Sequence, residues 1–379
     1  MAMVLTEEQQ ILKDSARDFV TAKTPVKALR TLRDNKDETG FDRDLWREMA
    51  DMGWAGIILP EEHGGLDFGY QGLGVVLEET GRQLVASPLV STVLTVGTAV
   101  MLGGTDAQKA DILPKIAAGE LIATLALDEG PHHDPLSITM AAQSSGDGYS
   151  LSGDKVFVLD GNAADLLVVA ARTAGGAGDR DGITLFLVDA KADGVGIEKR
   201  DMVDSRNAAA ISFDNVKVSA DAVLGAVGKG IDVLEPALDR ARIGLAAEML
   251  GSSLEAFERT MEYLKTRKQF GALIGSFQGL KHRAADMFSE IELAKAIVAE
   301  ALTAIDNDSP TVPLMASLAK SKLCDVLNLV SREGVQMHGG IGMTDEEEIG
   351  FFMKRARVAE ATYGNVTYHQ DRYAALSGF

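Results

Sequence analysis

The chain has 379 residues, 46% of them hydrophobic, and its 37 Lys and Arg residues against 56 Asp and Glu residues give a formal net charge of −19. This length exceeds that of one small domain and suits two or three domains. The negative charge argues against nucleic acid and anionic membrane surfaces as partners, so an anionic ligand would need a local basic pocket. Cys324 is the single cysteine, which excludes an intrachain disulfide and favours a reducing, cytoplasmic location.

Residues 1–120 predict a helical domain. Thr6 is suited to cap the first helix, because its hydroxyl can accept a hydrogen bond from the amide of Gln9, three residues later. The longest apolar run, 89–102, is interrupted by Ser and Thr and is shorter than the ~20 residues that span a bilayer. We therefore expect no membrane span.

Residues 121–225 predict a small β domain, because short runs rich in β-branched and aromatic residues alternate with Gly and Asp. These runs are 155–159, 166–172, 183–189 and 210–218. The segment GGAGDRDG at 175–182 lies between two of them and predicts an exposed hairpin tip.

Residues 226–379 predict a second helical domain. The apolar residues of the segment 277–287 recur at spacings of three and four, which is typical of an amphipathic helix. The segment 306–313 predicts a turn between helices.

The segment 267–271, RKQFG, combines residue types that suit a dinucleotide. The guanidinium of Arg267 presents a planar fork of donors to phosphate oxygens, and the ring of Phe270 offers a surface on which a purine can lie. Gly271 permits a close backbone turn between them. The same residues also fit a solvated basic turn with Phe270 in the core.

The segment 336–344, QMHGGIGMT, places Gly339, Gly340 and Gly342 between two helical patterns. Glycines at this spacing allow backbone amides to approach a phosphate or a ribityl chain. A helix-breaking loop without a ligand would use the same residues.

Two further segments are informative: DLWREMADMGWAGIILPEEHGG at 44–65 and GDKVFVLDGNAADLLVVAART at 153–173. Together with the two segments above, and in this order along the chain, they resemble the flavin-dependent acyl-CoA dehydrogenases over essentially the whole chain. The resemblance implies an α+β fold with an N-terminal helical domain at 1–120, a middle β domain at 121–225 and a C-terminal four-helix bundle domain at 226–379. It also implies FAD as cofactor, an acyl-CoA substrate and an electron-transfer flavoprotein as electron acceptor. The chain is expected to form a homo-oligomer or a heterotetramer with a paralogous subunit.

The resemblance assigns the flavin to the middle domain and the C-terminal helices, with the adenine end completed by a neighbouring subunit. The residues implied to bind FAD are Arg267, Phe270, Gln278, Gln336, Gly339, Gly340, Leu127, Asp128, Phe157 and Leu159. The chain departs from the family at Phe157, where a Trp is usual, and at Leu159, where a hydroxyl residue is usual. Phe157 can still stack on a flavin ring, whereas Leu159 cannot donate a hydrogen bond.

The catalytic glutamate of the family is missing from its usual positions. One position, after the glycine segment, holds Tyr363 or Gly364, and the other, on an earlier helix, holds Ala241. Arg242, which follows Ala241, is the preserved residue that the resemblance places near the substrate. A helix salt bridge between Arg242 and Asp239 is the alternative role.

A displaced carboxylate could replace the missing glutamate. The candidates are Glu360, one helical turn before Gly364, Asp239 on the earlier helix, and Glu129, which is kept from the family's pattern in the loop LDEGPHHDP at 127–135. Each of them also fits an exposed or structural acid.

His132, His133 and Asp134 replace the small hydroxyl residues of that loop in the family. They are metal-ligating residue types, but consecutive residues rarely converge on one ion without a distant ligand. We therefore expect no metal.

Three functions are compatible with these residues. In the first, the chain is a base-lacking subunit that works beside a paralogous subunit with the base, as in the heteromeric dehydrogenases of sterol side chains or pimeloyl-type chains. In the second, it is a self-sufficient dehydrogenase with a displaced carboxylate. The third is a non-catalytic scaffold that binds flavin or acyl-CoA, since a fold does not guarantee its chemistry. Retained flavin would favour the first two functions.

Overall fold

A computed structural model describes residues 5–379 of the chain. They divide into two compact units: one contains the chain up to Thr31, Tyr70–Val85 and Arg242–Phe379, and the other contains Leu32–Gly69 and Ala86–Ala241. We call these the helical unit and the sheet unit. Helices and a mixed sheet are both present, which confirms the predicted α+β class. The domain limits at 120 and 225 stay a prediction.

Some of the helices begin at a residue whose side chain accepts a hydrogen bond from an amide of the first turn. The capping box expected at Thr6 is confirmed, since its hydroxyl accepts a hydrogen bond from the Gln9 amide at 3.2 Å. The helices are α1 (Glu7–Lys23), α2 (Val26–Asp34), α3 (Arg43–Asp51), α4 (Gly69–Arg82), α5 (Thr98–Gly103), α6 (Asp106–Ala117), α7 (Ile231–Thr266), α8 (Gln278–Asp306), α9 (Val312–His338), α10 (Ile349–Ala361) and α11 (Val366–Leu376).

The helix α9 is the centre of the C-terminal bundle, because α8, α10 and α11 all pack against it. The turn expected at 306–313 is present between α8 and α9. Cys324 lies on the buried face of α9.

Helices α4 and α7 cross with their backbones in contact. A Cβ built on Gly81 would stand 2.0 Å from the Glu248 carbonyl oxygen, and a Cβ on Gly251 would stand 1.8 Å from the Glu78 carbonyl oxygen. Only residues without a side chain allow this approach.

A single path of strands, in the order β6-β7-β3-β2-β4-β5-β8, runs through the sheet unit, with β1 paired in parallel to β4. These strands are β1 (Ala123–Ala126), β2 (Ala141–Ser145), β3 (Gly148–Leu159), β4 (Leu166–Arg172), β5 (Ile183–Asp189), β6 (Val195–Asp201), β7 (Asn207–Ser219) and β8 (Val223–Leu224). The runs predicted at 166–172 and 183–189 coincide with β4 and β5. The segment 175–182 is the exposed tip of their antiparallel hairpin, as predicted.

The core of the sheet unit lies against β4 and β5. Leu167 and Val169 of β4 and Phe186 and Val188 of β5 alternate into one apolar cluster. Val168 of β4 and Leu185 of β5 point to the other face and are buried as well, so these two strands are apolar on both faces.

None of the helices within residues 5–379 combines the length and the apolar character that crossing a membrane requires. The apolar run predicted to stay out of a membrane begins with a π-helical segment, Leu89–Gly97, whose residues are all buried, and continues into α5. The run thus contributes to the protein core.

Candidate active site

The segment expected to hold a dinucleotide forms a small hairpin between α7 and α8. The strands β9 (Lys268–Gln269) and β10 (Ala272–Leu273) are joined by Phe270 and Gly271, whose φ angles are 53° and 78°. Positive φ at both positions is the signature of a type I′ turn and is unusual for an aromatic residue. The Phe270 ring stands at the tip with 91% of its surface exposed. The alternative in which Phe270 lies in the core is therefore wrong.

The glycine segment begins where α9 ends. Gly339 has a positive φ of 66° and starts the 3₁₀ turn Gly339–Met343. A Cβ built on Gly339 or Gly340 would have no heavy atom of residues 5–379 within 4 Å, apart from those of its immediate neighbours along the chain. Gln336, in the last turn of α9, is exposed. The segment therefore presents open backbone to the surface.

An aromatic contact links the hairpin to the glycine segment. The ring of Tyr263 stacks on that of His338, the last residue of α9, with ring centroids 4.3 Å apart. Because the Arg267 amide donates to the Tyr263 carbonyl at 2.9 Å, the hairpin starts one turn beyond this contact. Gln278, the first residue of α8, is exposed, and no side chain in the described part of the chain caps the N-terminus of α8.

These features fit the adenine and pyrophosphate half of FAD. The exposed Phe270 ring supplies a stacking surface, the exposed Arg267 guanidinium supplies charge, and the start of α8 and the glycine segment supply backbone amides. The residues present in the helical unit are thus compatible with the cofactor that the resemblance implies.

In the sheet unit, the residues implied to cover the flavin lie where the end of β1 meets β3. The buried Lys155 donates through Nζ to the Leu127 carbonyl at 3.0 Å, and the Val156 amide donates to the Asp128 carbonyl at 2.8 Å. These bonds bring Leu127 and Asp128 beside Phe157, the next residue of β3.

Phe157 lies in an irregularity of the sheet. The pairing of β3 with β7 shifts its register between Lys155 and Val158, and Phe157 has a positive φ of 53°. Such bulges re-aim a side chain out of the regular alternation and are frequent beside active sites. Leu159 follows in the same strand, and its carbonyl accepts from Thr124 Oγ1 at 2.6 Å. Phe157 and Leu159 are both half-buried.

Glu129 is held by several donors. Its carboxylate accepts from the Thr139 amide at 2.8 Å, the Met140 amide at 3.0 Å and Lys155 Nζ at 2.7 Å. Partial burial raises the pKa of Glu129, but the Lys155 ammonium and the Thr139 donors outweigh this effect and hold the pKa below its usual value. A carboxylate with its lone pairs so occupied is a poor proton acceptor, so this environment favours a structural role.

Replacing Glu129 with Gln is expected to lower the free energy of unfolding at neutral pH by roughly 1.5–3 kcal/mol, because a charge-assisted hydrogen bond to the buried Lys155 is lost. Since the folded pKa of Glu129 is lowered, its contribution is present above about pH 4.5 and is lost as the pH falls through the folded pKa. Urea unfolding should therefore show a difference between the two proteins that shrinks on acidification. Glu198→Gln, at an exposed position of β6, is the control. A difference that stays constant with pH would contradict the assigned ion pair.

The histidines beside this loop have local contacts. His133 Nδ1 lies 3.0 Å from the Asp128 carboxylate, while His132 and Asp134 are exposed. Over residues 5–379, no group of three or more His, Cys, Asp and Glu side chains is arranged to hold a metal ion.

The loop between α10 and α11 contains the residues expected at the base position. Tyr363 and Gly364 have positive φ angles of 56° and 108°. The Tyr363 carbonyl accepts from Arg242 Nε at 3.1 Å and lies 3.1 Å from His369 Nε2, and the Gly364 carbonyl accepts from Lys320 Nζ at 2.8 Å. We call Arg242, His369 and Lys320 the loop clamp. Its contacts are made to the backbone of the loop, so they do not depend on the side chain at position 363.

Arg242 is buried, with 1% of its surface exposed. Besides the Tyr363 carbonyl, its guanidinium donates to the Tyr368 hydroxyl at 3.0 Å and lies 5.3 Å from the centre of that ring. These contacts order the loop, and the role of Arg242 near the substrate stays a prediction.

Sequence reasoning misses Lys320, a fully buried residue of α9. Its Nζ also donates to the Glu360 carbonyl at 3.2 Å and lies 3.3 Å from Cys324 Sγ. Desolvation by burial lowers the pKa of Lys320. A signal was present in the sequence, because Lys320 falls at helical spacing between the apolar residues Ala316 and Leu323, where a lysine is rare.

Family models cover most of the chain. They describe the N-terminal, middle and C-terminal domains of acyl-CoA dehydrogenases and match residues 6–120, 128–216 and 228–375, respectively. The chain belongs to the acyl-CoA dehydrogenase family. Membership confirms the resemblance and the order of a helical N-terminal, a sheet-containing middle and a helical C-terminal domain.

This member of the family has relatives of similar length. The caffeyl-CoA reductase-Etf complex subunit CarC of Acetobacterium woodii is 31% identical over 363 residues, which cover 94% of each protein. Among solved structures, the steroid ACAD Tcur3481-Tcur3483 has a TM-score of 0.88 at 32% identity and covers 98% of both chains. The ChsE4-ChsE5 complex of Mycobacterium tuberculosis has a TM-score of 0.90 at 26% identity and covers 100% of both chains.

The candidate carboxylates of this chain differ in their surroundings. The Glu360 carboxylate accepts from Asn328 Nδ2 at 3.0 Å and lies 3.5 Å from Arg357 Nη1. The backbone carbonyl of Glu360, like that of Gly364, accepts a hydrogen bond from Lys320 Nζ. Asp239 is buried on the part of α7 that belongs to the sheet unit. The other usual base position, Ala241, is fully buried and carries no carboxylate, in agreement with the sequence.

Proposed function

We propose that this chain is the base-lacking subunit of a heteromeric, FAD-dependent acyl-CoA dehydrogenase and acts with a paralogous subunit that carries the glutamate. One observation supports the proposal above all others: the loop expected to carry the base holds Tyr363 and Gly364, and the loop clamp bonds to the backbone carbonyls of both. Neither residue carries a carboxylate that could act as the base. The chain has therefore kept an ordered loop without its carboxylate.

The reaction removes a proton from the α carbon of a thioester and a hydride from the β carbon. FAD, when bound, supplies the hydride acceptor. A positioned carboxylate contributes ~10²–10⁴-fold to the proton transfer, so its loss is decisive for a chain that works alone. Arg267 and Phe270 would hold the adenine end of the cofactor, Phe157 would cover the ring system, and Arg242 would keep the base loop ordered.

The named complexes among the similar proteins support a heteromeric assembly. ChsE4-ChsE5 and Tcur3481-Tcur3483 each join differently named chains, and the latter is described as a steroid ACAD. CarC is named as a subunit of an Etf complex, which supports an electron-transfer flavoprotein as the electron acceptor. We propose a heterotetramer rather than a homo-oligomer, because the missing base must come from another chain. We also propose a cytoplasmic location.

Specific observations favour two other functions. Leu159 has no hydroxyl to donate to a flavin, which favours a non-catalytic scaffold that binds flavin or acyl-CoA. Lys320 Nζ donates to the backbone carbonyls of both Glu360 and Gly364, so the two residues lie close together, and this proximity favours Glu360 as a displaced base in a self-sufficient enzyme.

An anaerobic visible-spectrum titration separates these functions. The purified, FAD-loaded chain is mixed with short-chain, long-chain and steroid side-chain acyl-CoA thioesters. The flavin band is expected to persist with every thioester and to bleach once the paralogous subunit with the glutamate is present. Bleaching in the chain alone would refute the base-lacking assignment and make Glu360, Asp239 and Glu129 targets for mutation. Failure to take up FAD, alone or with the partner, would favour the scaffold.

Replacing Arg267 with Ala is expected to weaken FAD binding by roughly 1.5–3 kcal/mol, because a charged hydrogen bond to phosphate is lost. This corresponds to a rise of roughly 10- to 150-fold in the dissociation constant. Equilibrium dialysis followed by flavin fluorescence measures it. Lys268→Ala removes a neighbouring exposed cation and serves as the control. Equal FAD affinity in the two variants would remove the assignment of Arg267.

A further inference from the structure

A groove of about 1020 Å³ opens beside the edge of β5 in the sheet unit. Its apolar lining includes Tyr149, Leu166, Leu187 and Val223 from the sheet region and Ile112 from α6. This volume is at the upper end of the roughly 300–1,000 Å³ that is usual for binding clefts. In the described part of the chain, none of the residues assigned above to FAD, the base position or the substrate lines the groove.

The groove exists because the last strand leaves the sheet early. β8 pairs with β5 at Leu185 and Phe186, and the chain before β8 forms the 3₁₀ turn Ala220–Ala222 instead of continuing the ladder. Gln108 of α6 holds this turn in place, since its side-chain Nε2 donates to the Asp221 carbonyl at 2.8 Å and to the Val223 carbonyl at 2.9 Å. Among residues 5–379, no strand pairs with the outer edge of β5 at 187–189.

The direction of the backbone groups shows what this edge presents. The Ile183 carbonyl accepts from the Gly230 amide at 2.7 Å, on the edge of β5 that faces away from β4. Backbone groups alternate between the two edges of a strand, so those of Leu187 point to the same side as those of Ile183 and Leu185. β8 covers this side at Leu185 and ends before Leu187. The N–H and C=O of Leu187 therefore face the groove, and such an edge is a template for an added strand.

Charged side chains surround the apolar floor. Asp111 and Lys115 offset each other, with Lys115 Nζ 2.6 Å from the Asp111 carboxylate. The other charged residues that line the groove are Asp165, Asp189, Lys191 and Asp221. Carboxylates outnumber ammonium groups among them, so the rim attracts a basic occupant and repels an acidic one.

We propose that this groove docks an extended, basic segment of a partner protein, which adds a strand to β5 through the N–H and C=O of Leu187. Successive side chains of a strand point to opposite sides, so a segment in which apolar and basic residues alternate can set the former on the floor and the latter at the rim. Backbone pairing provides the affinity, and Asp189 and Asp221 provide the preference for positive charge.

Fluorescence anisotropy with labelled hexapeptides tests the proposal on the full chain at low ionic strength. The probes are Val-Lys-Val-Lys-Val-Lys, its acidic counterpart Val-Glu-Val-Glu-Val-Glu, and Val-Lys-Pro-Lys-Val-Lys, in which Pro removes a backbone donor. The first is expected to bind at least tenfold more tightly than either of the others. It should also slow hydrogen–deuterium exchange in the segment 183–189. Equal binding of the proline peptide would mean that side chains alone are recognised and would overturn strand addition.

Charge-reversal variants locate the site. Asp189→Lys with Asp221→Lys is expected to weaken binding of the basic peptide at least tenfold. Glu198→Lys with Asp201→Lys on β6, at the other edge of the sheet, makes the same change in net charge and is expected to have less than a twofold effect. Equal losses in the two double variants, no binding of the basic peptide, or unchanged exchange at 183–189 would each overturn the proposal.

Discussion

Replacing Tyr363 with Glu is expected to raise the rate of flavin reduction by an acyl-CoA thioester by roughly 10²–10⁴-fold over the unaltered chain. The gain is that of a general base, because the substitution places a carboxylate at one of the two positions, 363 and 364, where the resemblance to the family implies the base. Anaerobic stopped-flow absorbance on the FAD-loaded chain without its partner measures it. The thioester is one that bleaches the heteromeric enzyme.

The loop around Tyr363 should accept this change. The loop clamp bonds to the Tyr363 and Gly364 carbonyls, and these acceptors remain whatever side chain position 363 carries. Tyr363 is 9% exposed, and Glu is shorter than Tyr, so the substitution frees volume instead of requiring it. At the other usual base position, Ala241 is fully buried, so a glutamate there would pay the desolvation of a carboxylate in a packed helix.

Tyr363→Gln is the matched control, because it has the length of glutamate without its charge. It is expected to leave the flavin oxidised. A comparable rate in both variants would mean that the tyrosine blocked the site sterically and that another residue is the base. If neither variant reduces the flavin while the heteromer does, the loop does not deliver a base to the substrate in this chain.

The strands show what the sequence could predict about the fold. β4 is buried along nearly its whole length, and its continuous apolar pattern located it to the residue. β6 has a mostly exposed pattern, and the apolar alternation in its sequence VGIEKRD is limited to Val195 and Ile197, which is too short to predict a strand. Its pairing with β7 depends on backbone hydrogen bonds, which leave little trace in residue type.

The candidate site was predictable where residue type alone carries the chemistry. The ring and guanidinium at 267–270 and the open glycines fall in this class. The exposure of Phe270 was not predictable, because it follows from the hairpin turn that places the ring at a tip. Lys320 was missed because its acceptor on Gly364 lies 44 residues away in the chain, and such contacts exist only after the helices pack.

Replacing Gly251 with Ala is expected to lower the free energy of unfolding by about 3 kcal/mol or more, at the upper end of the range for overpacked cores. The new Cβ would stand 1.8 Å from the Glu78 carbonyl oxygen and 3.1 Å from the Arg82 amide nitrogen. Both are backbone atoms of α4, so no side-chain rotation relieves the contact. The helices α4 and α7 must separate, and the Ser252 hydroxyl, which donates to the Gly81 carbonyl at 2.9 Å, would be displaced with them.

Gly279→Ala is the control for this crossing. Gly279 lies in the first turn of α8, and no heavy atom of the described residues stands within 4 Å of a Cβ at that position, adjacent chain excepted. Alanine there is expected to change stability by about 1 kcal/mol or less, in the favourable direction, because Ala has the higher helix propensity. Thermal unfolding followed by circular dichroism compares the two variants. If Gly251→Ala melted at the same temperature as the unaltered chain, the helices would have to cross at a greater distance, and glycine at 251 would then serve flexibility instead of close packing.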